Sequence, residues 1–164
     1  MAPNTADTLI RLAPLLPEHL APCLALDQAA LGGLWNEAQW SNELADVNRP
    51  GLGLWRAETL VAFACGLVVL DELQITTVAV APELRRQGLG RQVVGSLLME
   101  ARRLGARQAT LEVASDNTPA LALYGQLGFS TAGIRRGYYR SGSDALIQWA
   151  EIRDSEAVRI AALF

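Results

Sequence analysis

The sequence predicts an α/β domain, a central and mostly antiparallel sheet with one parallel step, flanked by helices. Three observations predict it. Periods of two and of 3.6 residues succeed one another in the order β-α-α-β-β-β-α-β-α-β-β along the chain. A β-branched run closes at Val80, Pro82 breaks it, and an amphipathic helix follows after a short turn bearing Gly88 and Gly90, which is the strand-to-helix step of a parallel crossover. Finally, 164 residues that are 51% hydrophobic and 19% charged suit one full-sized core.

Thr8 to Ala13 reads as a short first strand. Glu18 to Ala30 reads as a helix, with Leu20, Leu24 and Leu26 among its apolar positions, Pro22 in its first turn and Gly32-Gly33 as its stop. Asn36 followed by Gln39 has the spacing of a capping box and starts a second helix reaching about Asp46. Leu52 to Ala57 and Val61 to Leu70 form a hairpin around Glu58-Thr59, and Asp71-Glu72 turns the chain into a third strand, Leu73 to Val80. Leu89, Val93, Val94, Leu97, Leu98, Ala101 and Leu104 then recur at helical spacing until Gly105. Gln108 to Ala114 is a strand, and Asn117 caps a helix closed at Gly128. Phe129 to Tyr139 and Ala145 to Ile152 are the last strands. The expected organisation is a domain over 6–153 and a tail over 154–164, the tail being either a short docked helix or a frayed end.

Several function classes are disfavoured. A net charge of −3 argues against non-specific nucleic-acid binding. Cys23 and Cys65 lie far apart and outside metal-ligand spacing, so they read as reduced, buried thiols and no metal is expected. The longest apolar run, Val61 to Leu70, is too short for a bilayer, and no signal peptide is evident, so the cytoplasm is the expected location and no membrane partner is expected. The single histidine, His19, sits early in a helix and is a poor catalytic candidate.

The turn from Arg85 to Gly90 carries the strongest chemistry. Backbone N–H groups at a helix start, together with the helix dipole, make an anion site, and Arg85, Arg86 and Arg91 add positive charge around it. Glycines at 88 and 90 let a phosphate approach the main chain. The turn lacks the Gly-Lys-Ser/Thr ending of a Walker A loop, and Val93 stands where a dinucleotide fingerprint needs its third glycine. Downstream, Glu112 is the one acid in Ala109 to Ala114, either a strand residue on a wet face or a general base. Asn117 is a helix cap that can also present its amide to a ligand. Tyr124 shares a helix face with Leu121 and Leu127, so core packing explains it as readily as catalysis.

Arg85-x-x-Gly88-x-Gly90 resembles the (Gln/Arg)-x-x-Gly-x-(Gly/Ala) pyrophosphate loop of the GNAT N-acetyltransferases, which bind acetyl-coenzyme A. Leu111-Glu112-Val113, then Asn117-x-x-Ala120-x-x-Leu123-Tyr124-x-x-Leu127-Gly128-Phe129, is similar to the second motif pair of that superfamily. With Val69 to Glu72, Ala79-Val80 and Ile134-Arg135-Arg136-x-Tyr138-Tyr139, the chain resembles the RimI-type ribosomal-protein alanine N-acetyltransferases over roughly residues 8 to 152. The resemblance implies the GNAT fold, its sheet splayed between the strands ending at Val80 and Ala114. It implies Glu112 as general base and Tyr124 as general acid. Val78, Ala79 and Val80 would contact the acetyl-pantetheine end through their backbone. Arg85, Arg86, Gln87, Gly88, Leu89, Gly90 and Arg91 would hold the pyrophosphate, with Asn117 also on the cofactor. The implied cosubstrate is acetyl-CoA and the implied acceptor a protein N-terminus, alanine first, on a ribosomal protein.

Trp35, Tyr138 and Tyr139 could line a narrow entrance for an extended peptide end, with Asp144 available to a cationic group. Each of these also has a core or edge-strand explanation. Leu34-Trp35 replaces the Pro-Trp pair usual in the family, and Ser143-Asp144-Ala145 replaces Glu-Asp-Ala, so the likeness is loosest where the family meets its acceptor. Lysine side chains or a small amine are the rival acceptors. A non-catalytic coenzyme A or nucleotide module is the rival class, and it would need neither Glu112 nor Tyr124. A monomer or weak dimer is expected.

Overall fold

The computed structural model describes residues 9–153; the expected tail and the first residues lie outside them. The elements follow the predicted order: β1 (Ile10–Pro14), α1 (Leu20–Leu31), α2 (Glu37–Ala45), β2 (Gly51–Arg56), β3 (Thr59–Val69), β4 (Glu72–Val80), α3 (Leu89–Arg103), β5 (Gln108–Ala114), α4 (Thr118–Gln126), β6 (Ser130–Arg135) and β7 (Ala145–Glu151). The seven strands form one sheet in the order β1-β2-β3-β4-β5-β7-β6. Among the described residues only β4 and β5 run parallel, with α3 carrying the chain back between them.

Local chemistry explains most boundaries. Asn36 and Gln39 form the capping box of α2, each side chain accepting from the other residue's backbone N–H at 2.9 Å. Gly32, at φ +73°, ends α1 and returns its N–H to the Asp27 carbonyl. The first helix starts later than expected, since Pro17–His19 forms a 3₁₀ turn and α1 begins at Leu20, leaving Pro22 in the first turn where its missing N–H costs nothing. The first hairpin turns at Ala57, which takes φ +53°, one residue earlier than expected, so β3 begins at Thr59.

Two expectations are corrected. The strand expected to run from Phe129 to Tyr139 is much shorter, and Tyr138 and Tyr139 lie in the loop joining β6 to β7. Gly137 turns the chain there at φ +61°, with its N–H given to the Asp144 carboxylate at 2.8 Å. Leu104 closes α3 as its C-cap and is exposed rather than part of the buried face.

A contiguous core joins Leu26, Trp40, Leu54, Phe63, Leu73, Val93, Leu97, Leu111, Tyr124 and Phe129. Edge-to-face aromatic contacts run from Trp35 to Trp40 to Phe63 at centroid separations of 4.9 and 5.0 Å. Phe63 therefore faces the α1–α2 side of the sheet. The alternate residue Val80 lies beside Gly90 of α3, on the other side.

Candidate active site

The site begins where two strands part. β4 and β5 pair over three positions only, Glu72 to Gln74 against Gln108 to Thr110. Beyond these, Val78, Ala79 and Val80 pair with β3 alone, leaving their other edge facing an opening. A β-bulge begins the divergence: Cys65 opposes Thr77 and Gly66 opposes Ile75, so Thr76 is an extra residue on β4. The Thr76 hydroxyl hydrogen-bonds the Cys65 carbonyl at 3.1 Å and the Glu43 carboxylate at 3.4 Å. Glu43, on α2, is buried and also accepts from Arg49 at 2.9 Å. Burial pushes its carboxyl up and Arg49 pulls it back.

At the end of β4 the chain passes through a 3₁₀ turn, Pro82–Leu84, and enters α3. Arg86 takes φ +66° and Gly88 φ +81°, a left-handed pair of positions that brings the chain round onto the helix axis. No side chain caps the first turn of α3, so its leading N–H groups remain available to an anion. A Cβ on Gly88 would meet nothing within 4 Å, and the Arg91 Nε is buried without a hydrogen-bond partner. Open space at a glycine, uncapped amides and an orphaned guanidinium nitrogen fit a phosphate ester.

The other loop residues divide differently from expectation. Arg85 turns away and donates through Nη2 to the Ala30 carbonyl at 3.2 Å, tying the loop to α1. Arg86 and Gln87 are exposed, whereas the Leu89 side chain is buried, so only its backbone can face a ligand. Gly90 is small for a packing reason, since a Cβ there would lie 3.2 Å from Leu123 and 3.6 Å from Val80. Asn117 caps α4 by accepting from the Ala120 N–H at 3.3 Å.

Across the opening, Glu112 lies on β5 two residues past the last β4 pair. Its neighbours Leu111 and Val113 are buried, so alternation turns Glu112 to the other face, where it is exposed. Arg135 reaches it diagonally across β7, Nε to Oε1 at 3.1 Å. Tyr139 is half-buried beside it. Burial raises its phenol first, and the Glu112 carboxylate and Tyr138 raise it further. Arg135 also stands 5.9 Å from the Tyr138 ring centroid. Glu112, Tyr138 and Tyr139 are thus brought together, and Arg135 joins them, a residue to which the sequence assigned no role of its own.

Asp144 holds the loop that carries the tyrosines, through Gly137 and an ion pair to Arg136 at 3.6 Å, and its carbonyl accepts from Ser115 at 2.9 Å. Tyr124 sits on the buried side of the sheet, edge-to-face with Phe129 at 5.7 Å, and burial pushes its phenol up to about 12. Trp35 stands apart from these, half-buried on Trp40, with its N–H on Asp27. Asp27 is another residue to which the sequence assigned no role. Buried on α1, it accepts from the Leu34 N–H at 2.7 Å, the Trp35 N–H at 3.0 Å and the Trp40 indole at 2.7 Å, fixing the α1–α2 corner. A lone acid among Leu24, Leu26 and Ala29 was its available signal.

Comparison with known proteins places this geometry. The chain is 38% identical over 149 residues to the N-alpha-acetyltransferase RimI of Mycobacterium tuberculosis, covering 86% of this chain and 92% of that one. It is 46% identical over 80 residues to the [ribosomal protein bS18]-alanine N-acetyltransferase of Escherichia coli, a match covering 49% of this chain and about half, 54%, of that relative's length. Its fold matches the crystal structure of the ribosomal-protein-S18-alanine N-acetyltransferase from Escherichia coli with a TM-score of 0.81 and 33% identity, over 88% of this chain and 94% of the other. The family described as Acetyltransferase (GNAT) matches residues 19–129. With a family match over most of its length and a relative 38% identical along 149 residues, this chain belongs to the GNAT acetyltransferase family.

Proposed function

We propose that this protein transfers the acetyl group of acetyl-CoA to the N-terminal α-amine of a protein, an alanine at the start of a ribosomal protein. The observation that carries the proposal is the opening between β4 and β5, with an uncapped helix start at one end and Glu112 on its far wall. The names of the relatives support the acceptor.

Acetyl-CoA supplies a thioester carbon open to attack by an amine. The uncapped amides of α3 and the Arg91 guanidinium bind its pyrophosphate, with Arg86 beside them and Asn117 at the start of α4. The free backbone edge at Val78 to Val80 offers N–H groups to the acetyl oxygen. Glu112 takes the proton of the amine as the N–C bond forms. Tyr124 gives a proton to the departing sulfur as the C–S bond breaks. Most of the acceleration comes from holding amine and thioester together in the opening. Among the described residues no helix is long and apolar enough to cross a membrane.

Competition between two peptides of one sequence tests the proposal, one with a free N-terminal alanine and the other blocked there but carrying a lysine. The free peptide should be acetylated preferentially, and Glu112→Gln should suppress that reaction by about 10²- to 10⁴-fold. Equal or faster acetylation of the blocked peptide would overturn the α-amine assignment.

A further inference from the structure

We propose that Arg135 is the specificity-determining residue of this site, its fixed positive charge admitting neutral amines and disfavouring ammonium ions at Glu112. The proposal rests on the α-amine transfer argued above. The guanidinium is anchored from both sides, with Nε at 3.1 Å from the Glu112 carboxylate and Cζ at 5.9 Å from the Tyr138 ring centroid. It is carried by β6, whose pairing with β7 holds Arg135 opposite Ala145. An acceptor nitrogen reaching Glu112 therefore meets an ion pair, not a bare carboxylate. Along the same loop Arg136 and Asp144 are themselves paired at 3.6 Å, while Arg140 is exposed and adds positive charge of the same sign as Arg135.

The two candidate acceptors arrive in different charge states. An α-amino group titrates near ~7.7–8.0, so roughly a tenth is already the free base at neutral pH. A lysine titrates near ~10.4, and under about a thousandth is free. Lysine must therefore come as an ammonium and surrender its proton inside the site, where a bare carboxylate would attract it and Arg135 repels it. The α-amine can enter as a neutral molecule, so it meets the Arg135 charge only as its nitrogen turns cationic in bond formation, whereas the lysine nitrogen bears that charge from the outset. The side chains of Arg135 and Glu112 are 56% and 35% exposed, so water screens the effect and a modest ratio is expected rather than an absolute gate.

The test measures kcat/KM of wild type, Arg135→Gln and Arg135→Lys on the free-alanine peptide and on the blocked lysine peptide. The ratio of the two is independent of the fraction of enzyme that is active, so a merely structural defect leaves it unmoved. Arg135→Gln should raise the lysine-to-alanine ratio by about two- to fivefold, the range of an exposed charge pair. Arg135→Lys, which keeps the charge, should stay near the wild-type ratio. An unchanged ratio in Arg135→Gln overturns the proposal, and so does loss of both activities below detection, which would make Arg135 a residue needed for turnover itself rather than for the choice of acceptor. So does the same shift in both variants. A wild type that prefers the blocked peptide breaks the α-amine assignment itself, a different result from a wild type that prefers alanine and a variant whose ratio is unchanged.

Discussion

Tyr124 is a packed core residue that the proposed mechanism also uses as a proton donor, and the two roles can be separated. Its ring packs edge-to-face on Phe129 and its phenol is pushed up to about 12 by burial, so it stays protonated across the working range and remains a donor. Tyr124→Phe keeps the ring and removes the proton. Under conditions where chemistry limits turnover, kcat should fall by about 10²- to 10⁴-fold, while the rise in melting temperature on adding coenzyme A should be unaltered. An unchanged kcat would leave Tyr124 a core residue only. At this scale the sequence was informative about identity and poor about company. Glu112 stood out as an acid in an apolar strand. Its partner Arg135 lies 23 positions on and two strands away, joined through β7, and no local pattern encodes that diagonal. Asp27 had a signal in its apolar surroundings, but the three donors it gathers come from a corner whose shape only the fold defines.

At the level of elements, signals that act within one turn of the chain were legible. The capping box of α2, the glycine stop of α1 and the buried face of α3 all follow from spacing alone. The overrun of β6 shows the limit, since the strand-favouring Tyr138 and Tyr139 follow Arg135 while Gly137 and Asp144, seven residues apart, turn the backbone into a loop. The glycine turn shows another. Gly88 and Gly90 looked equivalent, yet Gly88 needs its left-handed φ of +81° and faces open space, whereas Gly90 is small so that α4 can pack. The two should separate on substitution. Gly88→Ala should cost about 1–2 kcal/mol of strain and weaken coenzyme A. Gly90→Leu should cost about 1–3 kcal/mol by overpacking, before any ligand is added. Leu123→Ala should restore part of that loss in Gly90→Leu and none of it in Gly88→Ala. Urea unfolding with and without coenzyme A reads both effects. Equal behaviour of the two glycine variants would return Gly90 to the anion site.

On the scale of the whole molecule, the sheet is two halves joined by three β4–β5 pairs, and the number of those pairs is beyond anything the sequence displays. The crossover helix made the parallel step legible. The short register of that step, and the insertion of β7 between β5 and β6, came only with the fold. What keeps the halves one unit is a core that crosses the gap, with α3 packed under β2, β3 and β4 and with Leu111, Tyr124 and Phe129 in the same cluster as Cys23 and Phe63. Alkaline titration can test that unity, because buried groups report from both sides. Burial pushes the Cys23 thiol from 9.0 to about 12 on α1, and the Tyr124 phenol from 10.0 to about 12 on α4. Cys65, on β3, is raised in the same direction. Each holds its proton longer when folded, so its contribution is complete below its unfolded value and is lost as pH rises toward its folded one. Stability should hold steady up to about pH 8, then fall by ~1.4 kcal/mol per pH unit for each group ionised only in the unfolded chain. Cys23→Ala should remove one such increment from the slope above pH 9, and Tyr124→Phe one above pH 10. With a single core, both changes should appear in one transition, followed alike by circular dichroism and by the fluorescence of the four tryptophans, of which Trp149 alone lies in the second half of the sheet. Two transitions, with Cys23→Ala altering only one of them, would show that the three β4–β5 pairs and the shared core do not couple the halves.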